Sequence, residues 1–405
     1  MRFSGFQDEW EKRRLGDIIE FKAGYAFPSN GMLNEKSTYQ LIKMSNVYRN
    51  ELRLDRNPSF WPEVDAKQRE FILKKGDTVL TLTGTVGKKD FGYSVQITEG
   101  DKYLLNQRLV LLREKKNKSA NDFINQLVSN EKFLGDFFET AKGGTGNQTN
   151  VGIEDVKNLT FFFPSDTEQR KIAAFLSVID KRIQTQNKII EDLELLKRTI
   201  SNRIFEQKLT FKNNGSHEYP AWKIKNLEEV CEIVGGGTPE TSKREYWNGD
   251  IQWFTPTEIK TNYVEKSTRT ITVLGLKSSS AKLLPKGTIL LTTRATVGEV
   301  AIALVECSTN QGFQSLIVKE GVNNVFIFNW LKEHKHELVK RANGSTFPEV
   351  SKSEIEKIPI SIPSFSEQIK IASCISSIDD KVEIERILLR KWQQQKKILL
   401  KKMFI

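Results

Sequence analysis

Carboxylates spaced as in a Mg²⁺-dependent nuclease occur twice in this chain of 405 residues. Such a centre uses an aspartate and, a short distance further on, a Glu/Asp-x-Lys triplet that holds the metal. Asp250 with residues 258–260 fits this pattern loosely, and so does Asp55 with residues 65–67. Because 28% of the residues are charged, two unrelated matches indicate chance, and a self-contained nuclease is kept only as an alternative.

The motifs for cofactors and metals are incomplete. An amino-methyltransferase uses an Asn-Pro-Pro-Tyr-like tetrad, whereas residues 57–60 read Asn-Pro-Ser-Phe and no glycine-rich cofactor loop accompanies them. Residues 84–89 place a lysine after a glycine without the spacing of a phosphate-binding loop. His334 and His336 are two residues apart, so on a helix they do not share a face. We therefore predict no catalytic residue, no metal site and no cofactor bound by this chain.

Side chains suited to DNA are instead clustered in polar segments between predicted strands. Arg, Lys, Asn and Gln read base edges bidentately, and Thr hydroxyls suit phosphate contacts. In the first half of the chain the candidates are Lys43, Asn46, Thr83, Thr85, Lys88, Lys89, Asn106, Gln107, Arg108 and Asn147. In the second half they are Arg244, Trp247, Trp253, Thr255, Thr257, Thr293, Arg294, Thr296, Asn310, Gln311, Asn343, Ser345 and Thr346. Solvated polar loops are the alternative interpretation for any single cluster.

The overall charge agrees with a polyanionic partner. Sixty-two basic and 51 acidic residues leave a net charge of +11, and basic side chains that displace counterions from phosphates supply much of nucleic-acid affinity. No apolar run approaches the roughly 18 residues of a membrane span, and the N-terminus lacks the apolar core of a signal peptide. We expect a cytoplasmic protein with no membrane partner, and Cys231, Cys307 and Cys374 as reduced thiols.

The elements that must position these residues occur twice. The matched positions are Trp10 with Trp222, residues 73–87 with residues 284–298, Asn106-Gln107 with Asn310-Gln311, and Pro164 with Pro363, at offsets of 212, 211, 204 and 199. The offset then stays at 199 to the end of each half. Because insertions are tolerated in loops and resisted in regular elements, each half is predicted to be a variable globular unit followed by a rigid element of fixed length.

The rigid element is predicted to be a long helix. Apolar residues recur at spacings of three and four from residue 172 to 204 and again from 371 to 403, which is a heptad seam over about five repeats. Each stretch follows a proline and opens on Glu-Gln, at 168–169 and 367–368, as helix N-termini do. A helix of this length is a rod of about 60 Å. The seam favours pairing of the two helices over two separate surface helices.

The globular units combine β-rich runs with one helical stretch each, at residues 120–138 and 326–340. The predicted fold class is α/β (mixed α+β), with two tandem globular domains related by pseudo-two-fold symmetry. Each domain is followed by a long helix, and the two helices pack as an antiparallel coiled coil. The predicted boundaries are residues 1–166 for the first domain, 167–211 for the central helix, 212–217 for a linker, 218–365 for the second domain and 366–405 for the distal helix.

The whole chain resembles the specificity subunits of type I restriction-modification systems. The resemblance rests on the tandem repeat, the YWNGDIQWFTPTEI segment, the LPKGTILLTTRATVG segment and the Glu-Gln-initiated helices. It implies that each domain is a target-recognition domain for one half of a split double-stranded DNA sequence, with the helices as a spacer. It also implies docking of two methyltransferase subunits and of restriction/translocase subunits, with S-adenosylmethionine, ATP and Mg²⁺ bound by those partners. A self-contained methyltransferase or nuclease, and a coiled-coil scaffold without sequence specificity, are the alternatives.

One repeat position separates the two halves chemically. Thr83 and Arg294 occupy the same place in a shared Thr-Val-Gly frame, and an arginine offers a fork of donors suited to guanine. A base contact, a phosphate contact and a structural ion pair are the three interpretations of Arg294.

Overall fold

The computed structural model describes residues 2–115, 118–143, 147–213, 217–294, 296–342 and 349–404. The predicted contacts Asn343, Ser345 and Thr346 lie outside these residues. The chain forms two compact units, the first made of residues 1–188 and 387–405 and the second of residues 189–386. No helix among the described residues is long and apolar enough to cross a membrane.

Unit 1 contains fourteen described strands and begins with short elements. The strands are β1 (Glu11–Arg14), β2 (Ile19–Ala23), β3 (Tyr39–Ile42), β4 (Val47–Tyr48), β5 (Glu51–Leu52), β6 (Phe60–Trp61), β7 (Thr78–Thr81), β8 (Thr83–Thr85), β9 (Ser94–Gln96), β10 (Tyr103–Leu105), β11 (Leu109–Glu114), β12 (Lys142–Gly143), β13 (Gln148–Asn150) and β14 (Thr160–Phe163). The helices are α1 (Leu15–Ile18), α2 (Asn121–Val128), α3 (Glu131–Glu139), α4 (Ile153–Asn158) and the long α5 (Asp166–Phe205), which continues into unit 2.

Unit 2 repeats this order with fewer strands. These are β15 (Lys223–Asn226), β16 (Cys231–Gly235), β17 (Trp247–Phe254), β18 (Tyr263–Val264), β19 (Arg269–Ile271), β20 (Ile289–Thr292), β21 (Val300–Ala303), β22 (Cys307–Thr309), β23 (Phe313–Val318) and β24 (Pro359–Ile362). Its helices are α6 (Leu227–Val230), α7 (Val273–Lys277), α8 (Asn324–Glu333), α9 (Lys335–Arg341), α10 (Lys352–Glu356) and the long α11 (Phe365–Met403), which continues into unit 1.

Each unit is built on two main sheets and a pair formed by its first and last strands. In unit 1 the strand orders are β2-β11-β7-β9, β10-β3-β6 and β1-β14, with a further ribbon β12-β13-β8 and a second two-stranded pair, β4-β5. In unit 2 they are β16-β23-β20-β21-β18, β19-β17-β22 and β15-β24. The predicted mixed α/β fold with two tandem domains is confirmed.

The helical stretch predicted in each globular unit is interrupted. In unit 1 the break falls at Asn130, whose side chain accepts a hydrogen bond from the Phe133 N–H and so begins α3. In unit 2 it falls at His334, between α8 and α9. An N-cap asparagine accepts a hydrogen bond from a first-turn backbone N–H that has no carbonyl partner within the helix.

Both long helices follow the predicted seam. All the apolar seam positions are buried or half-buried. Ile172 and Leu176 belong to the large apolar cluster of unit 1, and Ile371 and Ile375 to that of unit 2. The helix predicted to reach residue 211 ends at Phe205, because Gln207 adopts a left-handed φ of 57°. The N–H groups of Lys208 and Leu209 then bond back to the Arg203 carbonyl, as in a helix C-cap.

Within each unit the two long helices run in opposite directions. In unit 1, Asp180 pairs with Lys396 at 2.6 Å, and Arg182 lies over the Trp392 ring. In unit 2, Lys197 pairs with Asp379 at 2.6 Å. The two ion pairs join the same two repeat positions, since 199 residues separate Asp180 from Asp379 and Lys197 from Lys396. Antiparallel pairing is therefore confirmed. Lys197 and Lys396, which interrupt the two apolar seams, each form a half-buried ion pair.

Candidate nucleic-acid interface

The loops that follow β3, β7 and β10 meet at one edge of unit 1, where β3 and β10 end side by side as parallel strands. The Asn106 N–H donates to the Ile42 carbonyl at 3.1 Å, and the Leu82 N–H donates to the Arg108 carbonyl at 3.4 Å. A Cβ at Gly24 would stand 1.9 Å from the Asn106 carbonyl oxygen. Only glycine permits this close backbone approach. The bond between Leu82 and Arg108 places residues 106–108 beside residues 82–85.

Unit 2 builds the same edge with the same backbone bonds. The Asn310 N–H donates to the Phe254 carbonyl at 3.1 Å, and the Thr293 N–H donates to the Gly312 carbonyl at 2.8 Å. A Cβ at Gly236 would stand 2.0 Å from the Asn310 carbonyl oxygen. The repeat found in the sequence is therefore a repeat of backbone contacts, and it positions residues 255–258, residues 293–294 with 296, and residues 310–312 together.

The edge of unit 1 extends into a β-ribbon. Strand β13 pairs antiparallel with β8, so that Gln148 lies opposite Thr85 and Asn150 opposite Thr83. The Val86 N–H donates to the Asn147 carbonyl at 3.3 Å. A ribbon of this kind has the width that the major groove of B-DNA admits.

Not every predicted side chain of unit 1 is available to a ligand. Asn46 is fully buried, and its amide bonds the backbone of Lys43, Arg53 and Arg56. Lys43 donates to the Ser59 hydroxyl at 2.7 Å, and partial burial lowers the pKa of this lysine. Both residues hold the loop after β3 together, so we leave them out of the proposed interface.

Other predicted residues of unit 1 shape turns. Thr83 and Asn106 are buried, and the Asn106 side chain accepts the Gln107 N–H at 2.8 Å. Thr85 donates its hydroxyl and its N–H to Asp90 at 2.7 and 2.8 Å. These two hydrogen bonds lower the pKa of Asp90. Such contacts set the backbone of the edge rather than face a ligand.

The exposed predicted residues of unit 1 are mainly basic or amide side chains. Arg108 is exposed and adopts a left-handed φ of 69°, which is uncommon outside glycine and concentrates at functional sites. Lys88 and Gln107 are also exposed, and Lys89 lies over the Phe138 ring. Asn147 is exposed beside the ribbon.

The tryptophans of unit 2 belong to its small second sheet. Trp247 and Trp253 are buried and pack edge to face at 5.1 Å. Their indole N–H groups bond the carbonyls of Glu240 and Gly237, and the Arg269 guanidinium lies 3.5 Å from the Trp247 ring centroid. We therefore leave both tryptophans out of the interface, while Arg244 is exposed on the segment before β17.

Glu258, the carboxylate of the nuclease-like triplet, is occupied by the protein itself. One carboxylate oxygen accepts the Thr255 N–H at 2.8 Å and its hydroxyl at 2.7 Å. The other accepts the Thr268 N–H at 2.6 Å. Burial alone would raise the pKa of Glu258, but these bonds outweigh it and the pKa is lowered. Among the described residues no group of three or more His, Cys, Asp or Glu could hold a metal ion. Thr255 is thus a capping residue, and Thr257 beside it is exposed.

The last loops of unit 2 separate buried from exposed side chains in the same way. Thr293 is buried, whereas Arg294, Thr296 and Gln311 are exposed and Asn310 is half-buried. The Asn310 side chain accepts the Gly312 N–H at 2.9 Å. Gln311 accepts a hydrogen bond from the Thr238 hydroxyl.

Arg294 forms the ion pair that was one of its three interpretations. Its guanidinium lies 2.7 Å from the carboxylate of Glu349, and about half of each side chain remains exposed. Sequence reasoning missed Glu349, and it placed Gln148 and Asn150 in a polar DNA-contact cluster, residues 142–150, from which it singled out only Asn147. The signal available for them was the 199-residue offset, which extends upstream of Pro164 and makes Asn150 the counterpart of Glu349.

Comparisons with known proteins agree across most of the chain. The family profile described as type I restriction modification DNA specificity domain matches residues 7–195 and 220–391. The MjaIX specificity subunit of Methanocaldococcus jannaschii is 40% identical over 185 residues, which are 44% of this chain and 43% of that protein. The putative MjaX specificity subunit of the same organism is 28% identical over 394 residues, 94% of this chain and 89% of that protein.

Solved structures show the same fold. The type I restriction-modification S subunit from M. genitalium superposes with a TM-score of 0.62 at 17% identity, covering 100% of this chain and 97% of that chain. A chain from a study of complex assembly and conformational transition of the type I system gives a TM-score of 0.58 at 18% identity, covering 98% of each.

Proposed function

Because the chain belongs to the family of type I restriction-modification DNA specificity proteins, we propose that it reads a bipartite double-stranded DNA target, one half-site with each unit. The observation that carries this proposal is the polar edge built twice on matching backbone bonds, Leu82 to Arg108 and Thr293 to Gly312. Equivalent backbones that carry different exposed side chains are what two different half-sites require.

The chemistry of the exposed edge supports DNA as the ligand. Arg108, Gln148 and Asn150 in unit 1, and Arg294 and Gln311 in unit 2, are exposed. Their guanidinium and amide groups can contact phosphates or form paired hydrogen bonds with purines in the major groove. A net charge of +11 adds a favourable long-range attraction.

A spacer role for the long helices is part of the proposal. In unit 1 the Asp180 carboxylate accepts the Gln126 amide at 2.7 Å and pairs with Lys396. In unit 2, Asp379 accepts the Asn262 amide at 3.3 Å and pairs with Lys197. One aspartate in each unit therefore ties a globular residue to both helices, which supports transmission of helix length into half-site spacing. Removing one heptad from each long helix should shorten the gap in the target and leave both half-sites unchanged.

We propose further that the chain is a non-catalytic subunit that acts through partners. The full use of Glu258 by its own neighbours supports this, since both carboxylate oxygens already accept hydrogen bonds. Methyltransferase subunits, and through them restriction/translocase subunits, would supply S-adenosylmethionine, ATP and Mg²⁺ in the cytoplasm. Exposed apolar residues on the long helices, Val178, Leu195, Ile384 and Ile398, offer them a docking surface.

The test is to map methylated motifs in cells that express the chain with its methyltransferase subunits. A bipartite motif with a fixed gap is expected, and a motif that depends on only one unit would overturn the proposal. The purified chain should neither methylate nor cut DNA. Activity of the chain alone that Asp250→Ala or Glu258→Ala abolishes would instead establish the enzyme alternative, and a footprint without two protected segments would favour the scaffold alternative.

A further inference from the structure

One cross-strand pair of residues at the polar edge occupies the same place in both units and carries different chemistry. The Val151 N–H donates to the Leu82 carbonyl at 2.9 Å in unit 1, and the Val350 N–H donates to the Thr293 carbonyl at 3.3 Å in unit 2. These bonds join matching repeat residues. The next residue on each strand is therefore also matched, so that Thr83 with Asn150 corresponds to Arg294 with Glu349.

In unit 1 this pair presents the amide of Asn150. Asn150 is exposed and lies opposite the buried Thr83 across the ribbon. Among the described residues its side chain has no hydrogen-bond partner. Gln148, two residues away on the same strand face, is exposed in the same way. Gly84 marks the other face, because a Cβ there would meet Phe91 and Asp90.

In unit 2 the corresponding pair presents the guanidinium of Arg294, which the fold holds in place. The Thr293 N–H and hydroxyl both bond the Gly312 carbonyl, and the Thr296 N–H donates to the Arg294 carbonyl at 2.7 Å. The backbone of Arg294 is therefore fixed on both sides. Glu349 contacts one terminal nitrogen of the guanidinium at 2.7 Å. Among the described residues the other guanidinium donors have no partner, and they can bond a ligand.

The exposure of the pair argues against a purely structural role. The Arg294 and Glu349 side chains are 47% and 41% exposed, and ion pairs this exposed contribute little to stability. A carboxylate beside DNA is also unfavourable unless it acts on a neighbouring cation, because it faces the phosphates with like charge. Orientation of Arg294 accounts for both observations.

We propose that this cross-strand pair determines specificity at one base pair in each half-site: Asn150 reads adenine in one, and Arg294, oriented by Glu349, reads guanine in the other. The proposal rests on the DNA-reading function proposed above. An asparagine amide matches the N6 and N7 edge of adenine, and an arginine fork matches O6 and N7 of guanine. Glu349 is a positioning residue, since it acts through Arg294.

The first test removes each reader in the full chain, co-expressed with its methyltransferase subunits, and maps the methylated motif. Asn150→Ala should relax one adenine position of one half-site, and Arg294→Ala one guanine position of the other, each by about 5- to 150-fold in discrimination. The half-site of the untouched unit is the internal control for folding. Thr149→Val is the matched control, since its side chain lies on the other face of the strand, and it should leave the motif unaltered.

The second test separates positioning from reading. Glu349→Gln keeps a hydrogen-bond acceptor and should retain the guanine preference in part, whereas Glu349→Ala should relax it without changing the thermal unfolding of the chain.

The outcomes are distinct. A wild-type chain that gives no bipartite motif would overturn the proposed function itself. A normal wild-type motif that Asn150→Ala and Arg294→Ala leave at full stringency would overturn this inference alone. Relaxation confined to one position of one half-site supports base reading. A uniform loss of methylation over all sequences would assign the two residues to phosphates and also overturn the inference.

Discussion

The two units open their long helices with the same pair of residues and satisfy that pair differently. Glu168 and Glu367 are both buried, at 1% and 2% exposed. In unit 1, Arg2 donates twice to Glu168, at 2.9 and 2.6 Å. In unit 2, Glu367 receives a hydrogen bond from Trp222, and its second carboxylate oxygen is buried without a partner among the described residues.

The following glutamine, in contrast, does the same work in both units. The Gln169 side-chain oxygen accepts the Ala120 N–H at 3.2 Å, and its amide donates to the Pro164 carbonyl at 3.0 Å. Gln368 accepts the Asn323 N–H at 2.9 Å and donates to the Pro363 carbonyl at 3.0 Å. Contacts to the backbone of the repeated fold are thus kept, whereas the side chain that bonds the buried glutamate differs between the units, Arg2 in unit 1 and Trp222 in unit 2.

The largest expected effect tests whether the backbone of the two edges is equivalent. Gly24→Ala and Gly236→Ala should each destabilise their unit by about 3 kcal/mol, because the new Cβ would overlap a carbonyl oxygen in both. Thermal unfolding, with hydrogen exchange as the probe of each unit, measures this loss of stability. Gly135→Ala, which meets nothing within 4 Å in helix α3, is the control and should be neutral or slightly stabilising. Unequal losses at the two edges would contradict the equivalence.

A smaller effect should distinguish the starts of the two long helices by the stability that their buried glutamates contribute. Glu168→Gln should cost about 2 kcal/mol, because it removes a charge-assisted pair and leaves the partly buried Arg2 without its counter-charge. Glu367→Gln should cost less than about 1 kcal/mol or stabilise unit 2, since it removes a buried charge that has no cation beside it in the described part of the chain. Urea unfolding of the two variants compares them directly, and equal losses would show that the partners do not matter.

The pH dependence of unit 2 should follow from the same carboxyl. Burial raises the pKa of Glu367, and the hydrogen bond from Trp222 only partly opposes this. The folded unit then binds this proton more tightly than the unfolded chain, so the associated stability is present below the ordinary glutamate pKa and is lost as pH rises through the raised value. Protection from hydrogen exchange at the start of α11 should increase on acidification in the wild type and should not increase in Glu367→Gln. The same pH response in both proteins would assign the effect to another group.

The smallest expected change concerns Arg108, whose counterpart in unit 2 is Gly312. Arg108→Gly should stabilise unit 1 by about 0.5–1 kcal/mol, because glycine adopts the φ of 69° without strain. It should also weaken binding of the target duplex and lower the salt dependence by about one counterion. Lys102→Ala, at the opposite end of β10, is the control for general loss of charge. Tighter or unchanged binding by Arg108→Gly would remove Arg108 from the interface.

The sequence alone predicted the elements whose signals are local. The heptad seams, the Glu-Gln helix starts and the repeat offsets all depend on residues a few positions apart or on one stretch matched to another. The mixed α/β class and the antiparallel helices were therefore predictable. Arg294 and Thr83 were also correctly matched, because the Val-Gly that follows them fixes the frame.

Only the tertiary structure decided which polar side chains are used internally. Asn46 and Trp253 are residue types common in interfaces, but their side-chain N–H groups bond carbonyls of the protein itself. Asn150 lies on a ribbon strand that no periodicity indicated. The partner of Glu168 is Arg2, 166 residues away along the chain. Hydrogen bonds and ion pairs depend on distance in space, and a sequence pattern records distance along the chain, so the pairing of polar groups is settled by folding.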